Sequence, residues 1–91
     1  MKARAHLFVS GRVQGVSYRW FISDLAQAME LAGWVKNLHD SRVEAVFEGN
    51  REVIEKAIRK CRQGPPASRV ADIEVMWESG IEGLDDFEIR H

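Results

Sequence analysis

The hydrophobic residues of this chain recur with two periods that alternate along the sequence. In residues 3–10, Ala5, Leu7 and Val9 fall on one face, and this period of two predicts a first strand. From Phe21 onward, apolar residues recur at helical spacing, which predicts a helix whose apolar stripe is Phe21, Ile22, Leu25, Ala28 and Met29. Residues 11–18 break both patterns and contain two glycines four positions apart, so a loop is expected to lead directly from the strand into the helix.

The rest of the chain repeats this order of strands and helix. Residues 34–38 and 43–48 carry β-branched and aromatic residues on either side of a polar turn, so they predict a hairpin. A second helix is predicted to begin after Asn50, a residue type that often caps helix N-termini, and to end at a Gly-Pro-Pro run. Residues 70–77 alternate again, and residues 87–90 supply a last short strand. The predicted order is βαββαββ.

Each predicted helix carries one apolar stripe, which it must bury against a neighbouring layer. Two such helices, placed between strands in this order, are expected to cover one face of a mixed, mainly antiparallel sheet. This arrangement is the ferredoxin-like α+β sandwich, predicted here as a single domain over residues 1–91. The fold serves many functions, so it does not identify one.

Composition and charge argue against nucleic-acid and membrane partners. The 13 basic and 14 acidic residues give a net charge of −1 and form no run of either sign, so no affinity for nucleic acid is predicted. Apolar stretches are too short for a membrane span or a signal peptide, so no membrane partner and a cytoplasmic location are expected. With no long exposed apolar stripe, a monomer is the expected state. Cys61, the single cysteine, falls on an apolar helical stripe and is expected to be buried rather than reactive.

The polar residues do not assemble into a familiar catalytic triad or metal site. A nucleophilic serine or cysteine needs a base beside it, and His6, His39 and His91 fall in separate predicted elements. Neither the Cys and His spacing of a zinc site nor the Asp-rich pattern of a calcium loop occurs. The sequence therefore predicts no metal and no cofactor.

The loop between the first strand and the first helix is the first candidate site. Its sequence over residues 11–19, Gly-Arg-Val-Gln-Gly-Val-Ser-Tyr-Arg, is neither a Walker loop nor a dinucleotide fingerprint. A glycine-containing turn at a helix start can nevertheless direct several backbone N–H groups at one point, where the helix dipole also favours an anion. Arg19 would add a planar, two-pronged donor that suits phosphate. The alternative is a plain connection that binds nothing.

Asn37 is the second candidate, at the end of the strand that follows the first helix. Its amide can accept a hydrogen bond from a water molecule and donate one to a substrate oxygen without changing charge. The sequence Asn-Leu-His-Asp-Ser is also typical of a hairpin turn, in which case Asn37 would only shape that turn. Spacing alone does not distinguish between the two interpretations.

Two dense motifs give the chain a resemblance to a known family. The run over residues 11–19 and the run Gly-Trp-Val-Lys-Asn over residues 33–37 closely resemble the acylphosphatase family, and further similarity continues to residues 87–89. The resemblance implies an enzyme that hydrolyses the carboxyl–phosphate bond of small acyl phosphates without a metal. In that family the loop cradles the phosphate, its arginine anchors the phosphate, and the asparagine orients the attacking water.

Carried over residue by residue, the resemblance makes Arg19 the expected phosphate anchor and Asn37 the expected water-orienting residue. The loop residues expected to bind phosphate, with backbone N–H groups of the first three as donors, are Gln14, Gly15, Val16, Ser17 and Tyr18. The acyl group of the substrate is not identified by the sequence.

At two positions the chain departs from the family pattern. Glu30 and Ser41 stand where the family usually has glycine, in turns that favour positive φ. We therefore expect both residues to adopt a left-handed backbone, at a cost of about 1 kcal/mol each. Ser41 lies close to Asn37 in sequence, so its turn bears on the placement of that amide.

The sequence leaves three further interpretations open. Trp20 is expected to be partly exposed, either packed along the loop or lining the acyl side of the substrate.

Phe8 on the open sheet face could stack on RNA bases, but nearby carboxylates would repel a phosphate backbone. Those expected on the same face are Glu44, Glu48, Glu74 and Glu78. The last alternative is a regulatory phosphate-binding module, like the acylphosphatase-like segment of hydrogenase-maturation carbamoyl transferases.

Overall fold

The computed structural model describes all residues from Met1 to His91. Its elements are β1 (Lys2–Arg12), α1 (Tyr18–Ala28), β2 (Ala32–Asn37), β3 (Val43–Asn50), α2 (Arg51–Gln63), β4 (Arg69–Glu78) and β5 (Phe87–Ile89). This order confirms the predicted βαββαββ sequence. Neither helix is both long enough and apolar enough to cross a membrane.

The five strands form one sheet in the order β4-β1-β3-β2-β5. β1 pairs antiparallel with both β3 and β4, and β2 pairs antiparallel with β3. β5 is the exception, because it lies parallel to β2 at the edge. The result is the predicted ferredoxin-like α+β sandwich, with both helices packed on a mixed sheet. Since β1 and β2 both run against β3, their C-terminal ends lie at the same end of the sheet.

The core lies between the two helices and one face of the sheet. Ala5, Leu7 and Val9 are completely buried there, as the alternation in β1 predicts. The helices add apolar residues to the same cluster, including Ile22 from α1 and Ile54 from α2. One continuous core therefore holds both layers together.

The buried face of α1 differs from the prediction. Ser23 and Ala26 are buried, whereas Ala28, which the apolar period placed on the stripe, is exposed. The small side chains of Ser23 and Ala26 allow the helix to pack closely, and Gln27 Nε2 donates a hydrogen bond to the Ser23 hydroxyl at 3.2 Å. Ile22 is buried as predicted, and the prediction was wrong only at Ala28, because packing against the sheet as well as apolar character decides which residues are buried.

α2 begins and packs as its sequence predicts. The side chain of Asn50 caps the helix by accepting a hydrogen bond from the Glu52 N–H at 2.9 Å. Cys61 is completely buried, and burial raises the pKa of its thiol to about 12, which confirms the expected buried role. Tyr18 donates its hydroxyl proton to the Cys61 carbonyl at 2.7 Å, and this bond fixes the first turn of α1 against α2.

The sheet face away from the helices carries the expected carboxylates. In the strand register, Glu44 and Glu74 lie on either side of Phe8 in β1. Glu48 and Glu78 flank Arg4 in the same way, and both form salt bridges with it. The open face is therefore a network of paired charges rather than an uncharged aromatic platform.

Glu48 also holds the long connection that precedes β5. Its carboxylate is only 4% exposed, and it accepts backbone hydrogen bonds from Glu82, Gly83 and Leu84 at 2.7 to 3.1 Å. Burial by itself would raise the pKa of Glu48, but these donors and Arg4 outweigh burial and lower it. The position of β5 beside β2 thus depends on a side chain from β3.

The two turns that depart from the family pattern have the predicted left-handed backbone. Glu30 has φ 56° and Ser41 has φ 78°. At the end of α1, the Leu31 N–H donates to the Ala26 carbonyl and the Glu30 N–H to the Gln27 carbonyl, which is the Schellman arrangement. In the hairpin, the Ser41 N–H donates to the Leu38 carbonyl at 3.3 Å. Both residues thus adopt the left-handed backbone that was expected of them.

We expect Glu30→Gly to raise the free energy of unfolding by about 0.5–1 kcal/mol, because glycine adopts this conformation without a Cβ clash. Ser41→Gly should act in the same direction. Chemical denaturation of each variant beside the parent chain measures the change. Glu30→Gln is the control, since it also removes the charge at the helix C-terminus but keeps the strained backbone. If Glu30→Gln stabilises as much as Glu30→Gly, charge rather than backbone strain is responsible.

Candidate active site

The C-terminal ends of β1 and β2 and the N-terminus of α1 meet around a small cavity. Its volume is about 230 Å³, and its lining residues are Val13, Gly15, Ser17, Tyr18, Arg19, Trp20 and Asn37. All of them except Trp20, which directly follows Arg19, come from the two motifs over residues 11–19 and 33–37. The sheet topology brings the two motifs together, because β1 and β2 lie on either side of β3 and their C-termini are at the same end of the sheet.

The loop between β1 and α1 presents a row of unpaired backbone donors. None of the backbone N–H groups from Gln14 to Trp20 donates to a backbone carbonyl. Two left-handed residues shape the turn, Gly15 with φ 72° and Ser17 with φ 66°. At Gly15 an added Cβ would meet no atom within 4 Å, so the glycine is required by its conformation rather than by space. Such a loop can cradle an anion.

The N-terminus of α1 adds the positive end of a helix dipole to the site. The helix has no acidic residue in its first turn, and Ser17, its N-cap residue, makes no side-chain hydrogen bond to the helix. The helix dipole and the first N–H groups are therefore available to a ligand. This combination is a general feature of anion sites at helix N-termini.

Arg19 lies in this first turn and is half-buried beside the cavity. Its Nη1 donates to the backbone carbonyl of Arg90, which follows β5, over a long distance of 3.4 Å. That contact is the guanidinium group's one protein acceptor, so most of its donors remain free for phosphate oxygens. The expected position of Arg19, beside the loop at the helix start, is thus found.

Asn37 is the last residue of β2 and pairs with Val43 across the hairpin. Its side chain lines the same cavity as Arg19. The amide oxygen Oδ1 is buried and has no hydrogen-bond donor from the protein. A buried acceptor without a partner is costly, so this oxygen is suited to accept a hydrogen bond from a ligand or water.

The Gln14 side chain has a role that sequence reasoning missed. Its Nε2 donates two hydrogen bonds across the site, to the Leu38 carbonyl at 2.8 Å and to the Arg42 carbonyl at 2.9 Å. The hairpin that carries Asn37 is thereby tied to the loop that carries the free N–H groups. Sequence position gave no signal for this brace, because it depends on how two distant turns approach each other.

The remaining residues of the loop and Trp20 differ in their exposure and in whether they line the cavity. Val16 and Tyr18 are buried, at 9% and 1% exposure, and Tyr18 lines the cavity whereas Val16 and Gln14 do not. Ser17 is exposed. Trp20 is 64% exposed and lines the cavity, which confirms the expectation of partial exposure.

The chain is similar to known proteins over almost its whole length. The family model described as Acylphosphatase matches residues 5–89. A curated acylphosphatase from Nostoc sp. is 53% identical over 87 residues, which cover 96% of this chain and 85% of the relative. One from Anaeromyxobacter sp. is 49% identical over 89 residues, covering 98% and 96%.

Solved structures agree with this similarity. The crystal structure of acylphosphatase from Bacillus subtilis superposes with a TM-score of 0.96 at 38% identity, and the match covers all of both chains. The relatives therefore match this chain in length, sequence and fold, and they are enzymes. The chain belongs to the acylphosphatase family, whose members hydrolyse acyl phosphates.

Proposed function

We propose that the loop over residues 14–18 and Arg19 bind the phosphate of an acyl phosphate, while Asn37 orients the water that hydrolyses it. The observation that carries this proposal is the row of unpaired N–H groups from Gln14 to Trp20 at the start of α1. Gly15, Ser17 and Tyr18 of this loop line one cavity with Arg19 and Asn37, so one bound phosphate can contact the loop, the guanidinium group and the amide together.

Phosphate binding is the first step. The backbone N–H groups of Gln14, Gly15 and Val16 donate to phosphate oxygens, and those of Ser17 and Tyr18 complete the cradle. Arg19 binds two oxygens with its planar guanidinium group and neutralises part of the charge. Since these donors are already in place, they stabilise charge on the phosphoryl oxygens without reorganising during the reaction.

Hydrolysis then requires a positioned water. The buried Asn37 Oδ1 accepts a hydrogen bond from this water and holds it in line with phosphorus. The bond between the water oxygen and phosphorus forms as the bond between phosphorus and the acyl oxygen breaks. The electron pair leaves with the carboxylate, and a water proton passes to a phosphate oxygen. The products are a carboxylate and inorganic phosphate.

We also propose that this reaction needs neither a metal nor a side-chain base. A carboxylate is a good leaving group, so positioning and charge stabilisation supply most of the catalysis. Arg19 and the helix N-terminus provide positive charge where a divalent cation acts in other phosphoryl-transfer enzymes.

The proposal extends to the oligomeric state, location and partners of the protein. We propose a single-domain monomer that acts in the cytoplasm on a small acyl phosphate, without a nucleic-acid or membrane partner. The carboxylates on the open sheet face and the net charge of −1 support the absence of a nucleic-acid partner, because neither attracts a polyanion. A regulatory phosphate-binding module would share the cradle but would not turn over substrate.

Hydrolysis of benzoyl phosphate by the purified chain in the presence of EDTA tests the proposal. We expect turnover that EDTA does not reduce, and light scattering of the same sample should give the monomer mass of 10.4 kDa. A folded protein that binds inorganic phosphate but does not hydrolyse benzoyl phosphate would support the regulatory module instead. Activity that EDTA abolishes and a divalent metal restores would refute metal independence.

A further inference from the structure

Trp20 differs from the other two tryptophans in its surroundings. Trp34 is only 8% exposed, and Arg51 lies over the ring of Trp77 at 4.0 Å. Trp20, by contrast, is 64% exposed and has neither an aromatic ring nor a cation stacked on it. Its large indole is therefore free to contact another molecule.

This free indole lies at the candidate active site. Trp20 follows Arg19 directly in the first turn of α1, and both line the cavity at the end of the sheet. The cavity's other large apolar residues are Val13 and Tyr18, and each is only 1% exposed. Trp20 is thus the one apolar side chain at this cavity with a substantial accessible surface.

We propose that Trp20 forms the acyl-binding surface of the enzyme and favours aromatic acyl groups over acetyl. The inference rests on the proposed function, because it requires the phosphate to lie in the cradle beside Arg19. With the phosphate fixed there, the acyl group must extend from the cradle past the rim of the cavity. A phenyl ring attached to the carboxyl group is flat and apolar, so it can pack on the indole, whereas a methyl group has little surface to offer.

Packing of this kind also explains why an apolar residue is kept in solvent at the start of α1. Of the other exposed residues of the helix, Asp24 and Gln27 are polar and Ala28 has only a methyl side chain. An offset-stacked or edge-to-face aromatic pair is favourable, and the resulting preference for the aromatic substrate is about three- to tenfold.

The test compares kcat/KM for benzoyl phosphate with kcat/KM for acetyl phosphate. In Trp20→Ala, we expect the benzoyl-to-acetyl ratio to fall about three- to tenfold, because the aromatic contact is lost. Trp20→Phe keeps a ring at this position and should retain most of the parent ratio. Ile81→Ala is the control for loss of an exposed apolar residue, since Ile81 is 44% exposed and does not line the cavity.

The outcomes separate this inference from the proposed function. If Trp20→Ala hydrolyses both substrates with the parent ratio, Trp20 does not bind the acyl group, although the enzyme assignment stands. An equal loss with both substrates would also refute the inference and would indicate a structural role for the indole. A parent chain that hydrolyses neither substrate would overturn the proposed function itself.

Discussion

Arg19→Ala is expected to lower kcat/KM for benzoyl phosphate by about a thousandfold. The side chain has one long contact to the protein, at 3.4 Å to the Arg90 carbonyl, so most of its hydrogen-bonding capacity is available for the substrate. Loss of a positioned cation that stabilises phosphoryl charge costs this order of magnitude in other enzymes. Because Arg19 contacts phosphate in the ground state as well, the inhibition constant for inorganic phosphate should also weaken.

The control for this variant is Arg19→Lys. Lysine keeps the charge but lacks the planar pair of donors, so it should restore only part of the activity. Full activity in Arg19→Lys would mean that charge alone is sufficient and that the two-pronged contact is unnecessary. Activity close to that of the parent in Arg19→Ala would contradict the assignment of Arg19 as the phosphate anchor.

Asn37→Ala is expected to lower kcat by about a hundredfold while leaving inhibition by inorganic phosphate nearly unchanged. The reason is the division of roles in the site. The buried Oδ1 of Asn37 has no donor from the protein and is free to hold water, whereas the phosphate donors lie on the loop and Arg19. A misplaced nucleophile affects the chemical step more than it affects phosphate binding.

Two further measurements complete this comparison. Asn37→Asp has nearly the same shape but places a carboxylate near the phosphate, so it should weaken phosphate inhibition as well as turnover. The thermal midpoint of Asn37→Ala shows whether the hairpin remains intact. If Asn37→Ala and Arg19→Ala weaken phosphate inhibition equally, Asn37 is a phosphate ligand and the proposed division of roles is wrong.

The fold could be predicted from the sequence because its signals are local. The alternation in β1 and the cap at Asn50 each depend on a few neighbouring residues, and both are found as expected. The positive φ angles of Glu30 and Ser41 were predicted from the family resemblance instead, since neither glutamate nor serine favours that conformation by itself. The buried face of α1 was not, because it depends on the surface against which the helix packs.

The candidate site could be predicted in its residues but not in its connections. The loop and hairpin sequences made Arg19 and Asn37 candidates and the family resemblance gave them roles; the two residues line one cavity, and their roles stay predictions. The contacts that surround them join residues far apart in sequence, as with Gln14 to Leu38 and Arg19 to Arg90. Nothing in the periodicity of either segment indicates which side chains will meet across the end of a sheet.

The brace formed by Gln14 has a consequence for when the site can exist during folding. Its amide spans the turn after β1 and the hairpin after β2, and both strands are held in place by β3. A partly folded chain could contain α1 with Arg19 and a strand ending in Asn37, yet the two residues would not face each other. Hydrolytic activity is therefore expected to report the pairing of β1 and β2 with β3 rather than the presence of isolated helices and strands.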